Sequence, residues 1–296
     1  MRQSEIKERL KNIAAHRNLE SFREIKEGID IEKFGATLHD SFRNKNTIHA
    51  VTIRENATIL KTCFFGHDLL IGYFTDAKVR VVLAHNIEQD VLVLNEETAR
   101  YQAIAGCLEK ELFAVADEDS LSIYDFTHAP EDMVVARIDL EEVRDIDFTE
   151  DGTKLVAAVG AGVKVFSAAS NWGETSASKD LGGGDIHNVH FDHTNEHFVA
   201  ACSDGTVRKV QATVMSVVKE FKARGAKSAY VSSQGKYLAV ACADGAAVYD
   251  YGTGGHLQTL SDGGSTNHVS INRGERFVMA SLSTSRVTVW DIESNF

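Results

Sequence analysis

A spacing of seven residues followed by seven more recurs four times in this chain, and it constrains the fold more than any other feature. Phe148, Leu155 and Gly162 set the pattern; Phe191, Phe198 and Gly205, then Val231, Leu238 and Gly245, then Ile271, Val278 and Ser285 repeat it. The unit returns about every 41 residues, the mark of a repeat architecture in which each unit buries its apolar faces against its neighbours. Inside each unit, apolar and polar residues alternate over six or seven positions between tight turn signals, as half-buried strands require. Within residues 186–222, "IHNVHF", "FVAACS", "TVRKVQA" and "SVVKEFK" read as strands a to d of one antiparallel sheet. Fainter copies span 59–96 and 101–140, so strand a is expected to begin near 59, 101, 143, 186, 226 and 267. With one proline against 22 glycines, the turns must be built mainly from Gly, Asp, Asn and Ser.

Residues 1–46 follow a different period. Ile6, Leu10 and Ile13 form one apolar stripe and Leu19, Phe22, Ile25 and Ile29 a second, with Asn18 placed to cap a turn between them. The spacing predicts a short helical N-terminal extension that packs on the sheets or, alternatively, pairs with another chain. The β-rich part then runs over 47–296.

That part resembles the WD-repeat β-propeller family, as a divergent member. The resemblance rests on Asp204-Gly205 and Asp244-Gly245 between strands b and c, and on the aromatic-Asp pairs Tyr124-Asp125, Tyr249-Asp250 and Trp290-Asp291 closing strand c. The Gly-His dipeptide of the family is absent before strand a, where Asp139, Gly182, Lys222 and Asp262 stand at the histidine positions. Six units imply an all-β, six-bladed propeller, with seven blades or an open ring completed by a partner's strands as alternatives. The last unit stops after strand c at "RVTVWDIESNF", and "TIHAVTIRE" (47–55) is expected to supply its fourth strand, since an open sheet edge invites aggregation.

Charge and composition narrow the partners. Residues 1–46 carry ten Lys/Arg against eight Asp/Glu, and the remaining 250 carry 21 against 35. An acidic body of net −14 disfavours direct nucleic-acid binding and favours basic peptides. No apolar run is long enough to span a membrane, and the charged start "MRQSEIKERLKN" lacks a signal-peptide core, so a cytoplasmic or nuclear location is expected. Cys63, Cys107, Cys202 and Cys242 form no CxxC pair and read as reduced thiols.

The stretch 185–205 holds His187, His190, His193 and His197. Strand alternation turns His187 toward the face of Val189 and Phe191 and His190 away from it, leaves His193 in a turn and opens strand b with His197. Four such side chains do not converge on one ion, so no metal is expected. No GxSxG elbow, P-loop or HExxH is present, and "GAG" (160–162) and "GGG" (182–184) fall at turn positions. The Asp145/Asp147 pair shares a strand face but has no counterpart of fixed type in other units. No cofactor is expected.

In a propeller, strand a lines the central channel and the residues opening it surround one mouth. Counting four back from Phe148, Phe191, Val231 and Ile271 gives Arg144, His187, Lys227 and Asn267; the weaker units give Gln102 and Ile59. The resemblance implies that this varied polar ring receives protein partners. Trp172, in "SAASNWGETSASKD", read as the long c–d connection of the third unit, is a further candidate anchor unless it folds back over its own blade. The expected function is a non-catalytic scaffold that recruits peptides or subunits to a larger complex, with substrate recognition for a ubiquitin ligase or a place in an RNA-processing particle compatible with it. The rival expectations are an enzyme using the mouth as a pocket, or a protein whose N-terminal helices carry recognition.

Overall fold

The computed structural model describes residues 61–65, 70–75, 78–83, 86–94, 100–107, 109–175, 178–261, 264–282 and 287–292. The helices expected over 1–46, the closing strand expected over 47–55, and Ile59 lie outside the described residues.

Six antiparallel sheets follow one another along the described chain. The first pairs β1 (Lys61–Phe65), β2 (Leu70–Thr75), β3 (Lys78–Leu83) and β4 (Asn86–Leu94) in chain order. The second pairs β5 (Ala103–Gly106), β6 (Leu112–Ala116), β7 (Ser120–Asp125) and β8 (Val134–Asp139). The third is built on β9 (Val143–Phe148), β10 (Lys154–Val159) and β11 (Gly162–Ser167), with the short β12 (Gly173–Glu174) and β13 (Lys179–Asp180) both paired to β11. β14 (Ile186–Phe191), β15 (His197–Cys202), β16 (Thr206–Gln211) and β17 (Ser216–Lys222) form the fourth. β18 (Ser228–Val231), β19 (Tyr237–Cys242), β20 (Gly245–Asp250) and β21 (His256–Leu260) form the fifth. The sixth comprises β22 (Thr266–Ile271), β23 (Phe277–Leu282) and β24 (Val287–Asp291). Each expected start of strand a falls within two residues of the observed one.

The core is divided rather than central. Five apolar slabs each draw on two successive sheets: Phe113 and Tyr101 pack with Val79 and Val81, for instance, and Phe191 and Phe198 with Val156 and Val165. The second strands of the second to fifth sheets are buried on both faces, and small residues there (Ala157, Ala158, Ala200, Ala201, Ala239 and Ala241) let neighbouring sheets approach closely. Strand a of each sheet lies beside strand a of the next, from β1 through β5, β9, β14 and β18 to β22. This all-β architecture of repeated antiparallel sheets is consistent with a β-propeller-like fold.

The turns use the residues the composition demands. Asp125, Asp151, Asp192 and Asp204 each accept hydrogen bonds from the backbone N–H and the hydroxyl of a threonine two positions on. Thr253, three positions on, donates to Asp250 in like manner, and its N–H and hydroxyl hold that carboxyl below the usual range. The glycines of "GGG" make a turn, Gly182 and Gly184 having φ of +78° and +70°. A Cβ on Gly183 would sit 1.6 Å from an Arg208 guanidinium nitrogen, so the absence of a side chain there is what lets that arginine pack.

Two expectations need correction. "SAASNWGETSASKD" is not one long connection: after a single 3₁₀ turn at Ala168–Ser170 the chain rejoins β11 at Gly173 and again at Lys179. Its Ser/Ala/Gly composition lacks the apolar alternation that would sustain an unbroken outer strand. Nor is Trp172 a free anchor. It is 6% exposed and meets Phe148 edge-on at 5.8 Å between ring centroids, folded back over its own sheet. Burying that indole is worth on the order of 2–3 kcal/mol, which offsets much of the cost of the left-handed backbone at Asn171 and Trp172.

Candidate functional site

Each ring position among the described residues is an extra residue in its strand. The third sheet pairs Val143 with Val159 and Asp145 with Ala158, passing over Arg144. The fourth passes over His187 between Ile186 and Asn188, and the sixth passes over Asn267 between Thr266 and His268. Gln102 and Lys227 donate their N–H groups to Ala116 and Ala241, the residues already opposite Ala103 and Ser228, which is the same irregularity. A bulge releases one side chain from the ladder and re-aims it. It also shifts the alternation that follows. Ile186 therefore takes the buried place beside Val189 and Phe191, and His187 is exposed, which corrects the face assigned to it from simple alternation.

One pair joins two of these positions, and a second ties Arg144 to the turn before the next strand. Arg144 Nη2 donates to Asp185 Oδ2 at 2.9 Å, and Lys227 Nζ donates to Asn267 Oδ1 at 2.8 Å. His187 and Gln102 stand apart from both pairs. Beside the rim, Ser203, Asp204, Gly205, Thr206, Lys222 and Arg224 line a shallow groove formed by the β15–β16 turn and the connection that leaves β17.

The residues that sequence reasoning missed lie one step further in. β1 pairs Phe64 with Ile71, seven positions on, which aligns Lys61 with Asp145, Asn188, Ser228 and His268. Two residues along each strand, Cys63 aligns with Asp147, His190, Tyr230 and Ser270. Polar residues at alternate positions of otherwise apolar strands were the available signal.

These two layers bind the sheets together. Lys61 reaches from the first sheet to Asp145 of the third, past the alanines of the second. Asp145 Oδ2 also accepts from Asn188 Nδ2 at 2.6 Å and from the Val189 N–H at 3.0 Å. Asp147 Oδ2 accepts from the Phe191 N–H at 2.9 Å and meets His190 Nδ1 at 2.9 Å. Asn188 Oδ1 in turn accepts from the Ala229 N–H at 2.8 Å, while His190 stacks on Tyr230 at 4.3 Å. Side chains of one sheet thus satisfy backbone donors on the inner edge of the next.

The electrostatics follow from this arrangement. Burial works against the Lys61 ammonium, but the charge and hydrogen bond of Asp145 outweigh it and raise its pKa. Burial pushes the Cys63 thiol up to about 12 despite Lys61 nearby, so it stays protonated at neutral pH. Tyr230 is also pushed up, by burial and then by the charges of Asp147 and Glu150. His268 keeps contact with solvent, yet the surrounding sheets desolvate it enough to lower its pKa; Lys61 and Lys227 lower it further and Asp145 opposes them.

The histidines of the 185–205 stretch end in four different places. His187 is on the rim and His190 is against Asp147; His193 lies over the Gly235 backbone, and His197 Nδ1 stands 3.6 Å from Asp192. Among the described residues, no three His, Cys, Asp or Glu side chains are grouped to hold a metal ion. Cys202 and Cys242 occupy the same slot of successive second strands, both buried and unpaired as disulfides. No helix among the described residues is long and apolar enough to cross a membrane.

No protein-family profile matches the chain, and no curated protein matches it either.

Proposed function

We propose that this protein is a non-catalytic recognition scaffold, a six-bladed propeller of the WD-repeat type that receives protein partners at one mouth of its channel. The observation that carries this reading is the division of labour between inner layers and rim. The inner polar groups are engaged with one another and with backbone donors, so they build the ring. The five bulged positions Gln102, Arg144, His187, Lys227 and Asn267 differ in type from sheet to sheet and stand outside the ladder, where varied residues on a repeated frame read a ligand. Catalysis is not favoured, because Asp145 and Asp147 are already bonded and Cys63 is held as a neutral thiol.

Affinity capture from native cells, with mass spectrometry, tests the reading by comparing wild type with an Arg144→Glu/Lys227→Glu double variant and with a form lacking residues 1–46. Stable partners should vanish with the charge reversal while the melting temperature holds. Partners that depend only on residues 1–46 would move recognition to that segment, and no rim-dependent partner at all would overturn the scaffold.

A further inference from the structure

We propose that the mouth receives a single peptide carboxylate between Lys227 and His268, an inference that rests on the mouth-recognition reading. Lys227 is exposed at the rim, and its ammonium is held by a neutral acceptor, Asn267 Oδ1, rather than by a counter-ion. His268 follows Asn267 in β22 and keeps its imidazole in contact with solvent. The charged groups that act on His268 are Lys61 of β1, Asp145 of β9 and Lys227. Of these, Asp145 is the one anion, and it is taken up by Lys61, Asn188 and the Val189 N–H. Among the described residues, then, the Lys227 ammonium meets no carboxylate, and His268 stands open to solvent next to Asn267, the acceptor that Lys227 uses.

A carboxylate suits this geometry. Its one negative charge matches one ammonium, and its second oxygen accepts from the imidazole N–H once His268 is protonated. A phosphate dianion would find one fixed cation where it calls for two or more. The acidic body, net −14 outside residues 1–46, repels multiply charged chains and so favours a lone carboxylate on an otherwise neutral peptide. At this one place the preference is opposite to the basic partners that bulk charge suggests.

The test is an NMR titration of the 296-residue chain carrying isotope-labelled histidine, with His268 assigned from its loss in His268→Gln. The probe is acetyl-Gly-Glu-Gly-amide, with acetyl-Gly-Gln-Gly-amide as its neutral twin and inorganic phosphate as a third arm. The glutamate peptide should shift the His268 resonance saturably and raise its pKa, with tighter binding as pH falls, and the glutamine peptide should not. Lys227→Gln should weaken the glutamate peptide roughly fivefold, the loss of one partly exposed charge-assisted hydrogen bond. The proposal is overturned by a silent His268, by a response that survives Lys227→Gln, or by phosphate binding more tightly than the glutamate peptide. Rim-dependent capture with a silent His268 would defeat this inference alone, whereas absence of any rim-dependent partner would defeat the scaffold beneath it.

Discussion

The junction between the third and fourth sheets and the junction between the fifth and sixth solve one problem with different chemistry. Both must satisfy backbone donors on the inner edge of a strand that has neighbours on one side. At the third-to-fourth junction two carboxylates do so: Asp145 takes the Val189 N–H and Asp147 the Phe191 N–H. At the fifth-to-sixth junction the aligned residues are Ser228 and Tyr230, neither of them charged, and the sheets are tied instead near their ends. Lys227 bonds Asn267 there, Ser233 Oγ donates to the Arg273 carbonyl at 3.0 Å, and the Gln234 N–H donates to Glu275 Oε1 at 2.8 Å. The lesson is that a repeated backbone does not repeat its electrostatics. The third-to-fourth junction is locked by carboxylates, and the fifth-to-sixth junction leaves Lys227 without a carboxylate partner and His268 exposed.

The largest expected effect sets a scale inside one sheet. Trp172→Ala should cost about 3–5 kcal/mol in denaturant unfolding, since it empties the space against Phe148 without touching either junction. A loss below about 1 kcal/mol would mean that the surrounding chain collapses into the gap.

The junctions themselves are compared by Asp145→Ala and Ser228→Ala. The first strands the Lys61 ammonium, the Asn188 amide and the Val189 N–H, and should cost about 3 kcal/mol; the figure is kept to the low end because Lys61 retains 30% of its side-chain exposure. The second removes one hydroxyl and should cost roughly 1 kcal/mol or less. Equal losses in chemical denaturation would erase the distinction drawn between the two sides. Asp145→Asn should recover part of the loss, because it keeps an acceptor for the Val189 N–H.

The smallest effect is one of pH. His268 has a lowered pKa in the fold, so the unfolded chain takes up the proton first, and stability should decline as pH falls from about 6.5 through the lower folded value. In a His268→Gln variant that segment of the stability–pH curve should be flatter. A curve unchanged by the substitution would show that the fifth-to-sixth side contributes no acid sensitivity of its own.

Much of this was readable in advance because a repeat multiplies weak local signals. The strands of the fourth sheet, "IHNVHF" through "SVVKEFK", were drawn to within a residue, and the rim positions Gln102, Arg144, His187, Lys227 and Asn267 came from counting back along equivalent strands. What escaped that counting depended on residues distant in the chain. Asp145 and Asp147 looked like an unrepeated pair because their partners, Lys61, Asn188, His190 and two backbone N–H groups, belong to other sheets. The bulge at His187 was invisible to an alternation rule that assumes an unbroken ladder, and the burial of Trp172 turned on Phe148 lying across from it.

The sequence by itself determined the period, most strand boundaries, the turn chemistry and the positions that open each inner strand, since all of these follow from local alternation and backbone preference. Tertiary structure alone decided which sheet's polar groups meet which. Such contacts span 40 to 84 residues along the chain, Arg144 to Asp185 and Lys61 to Asp145 among them. They exist because successive sheets bring their inner strands side by side, and a carboxylate buried at that seam is tolerable when the next strand supplies the donors that water would otherwise provide.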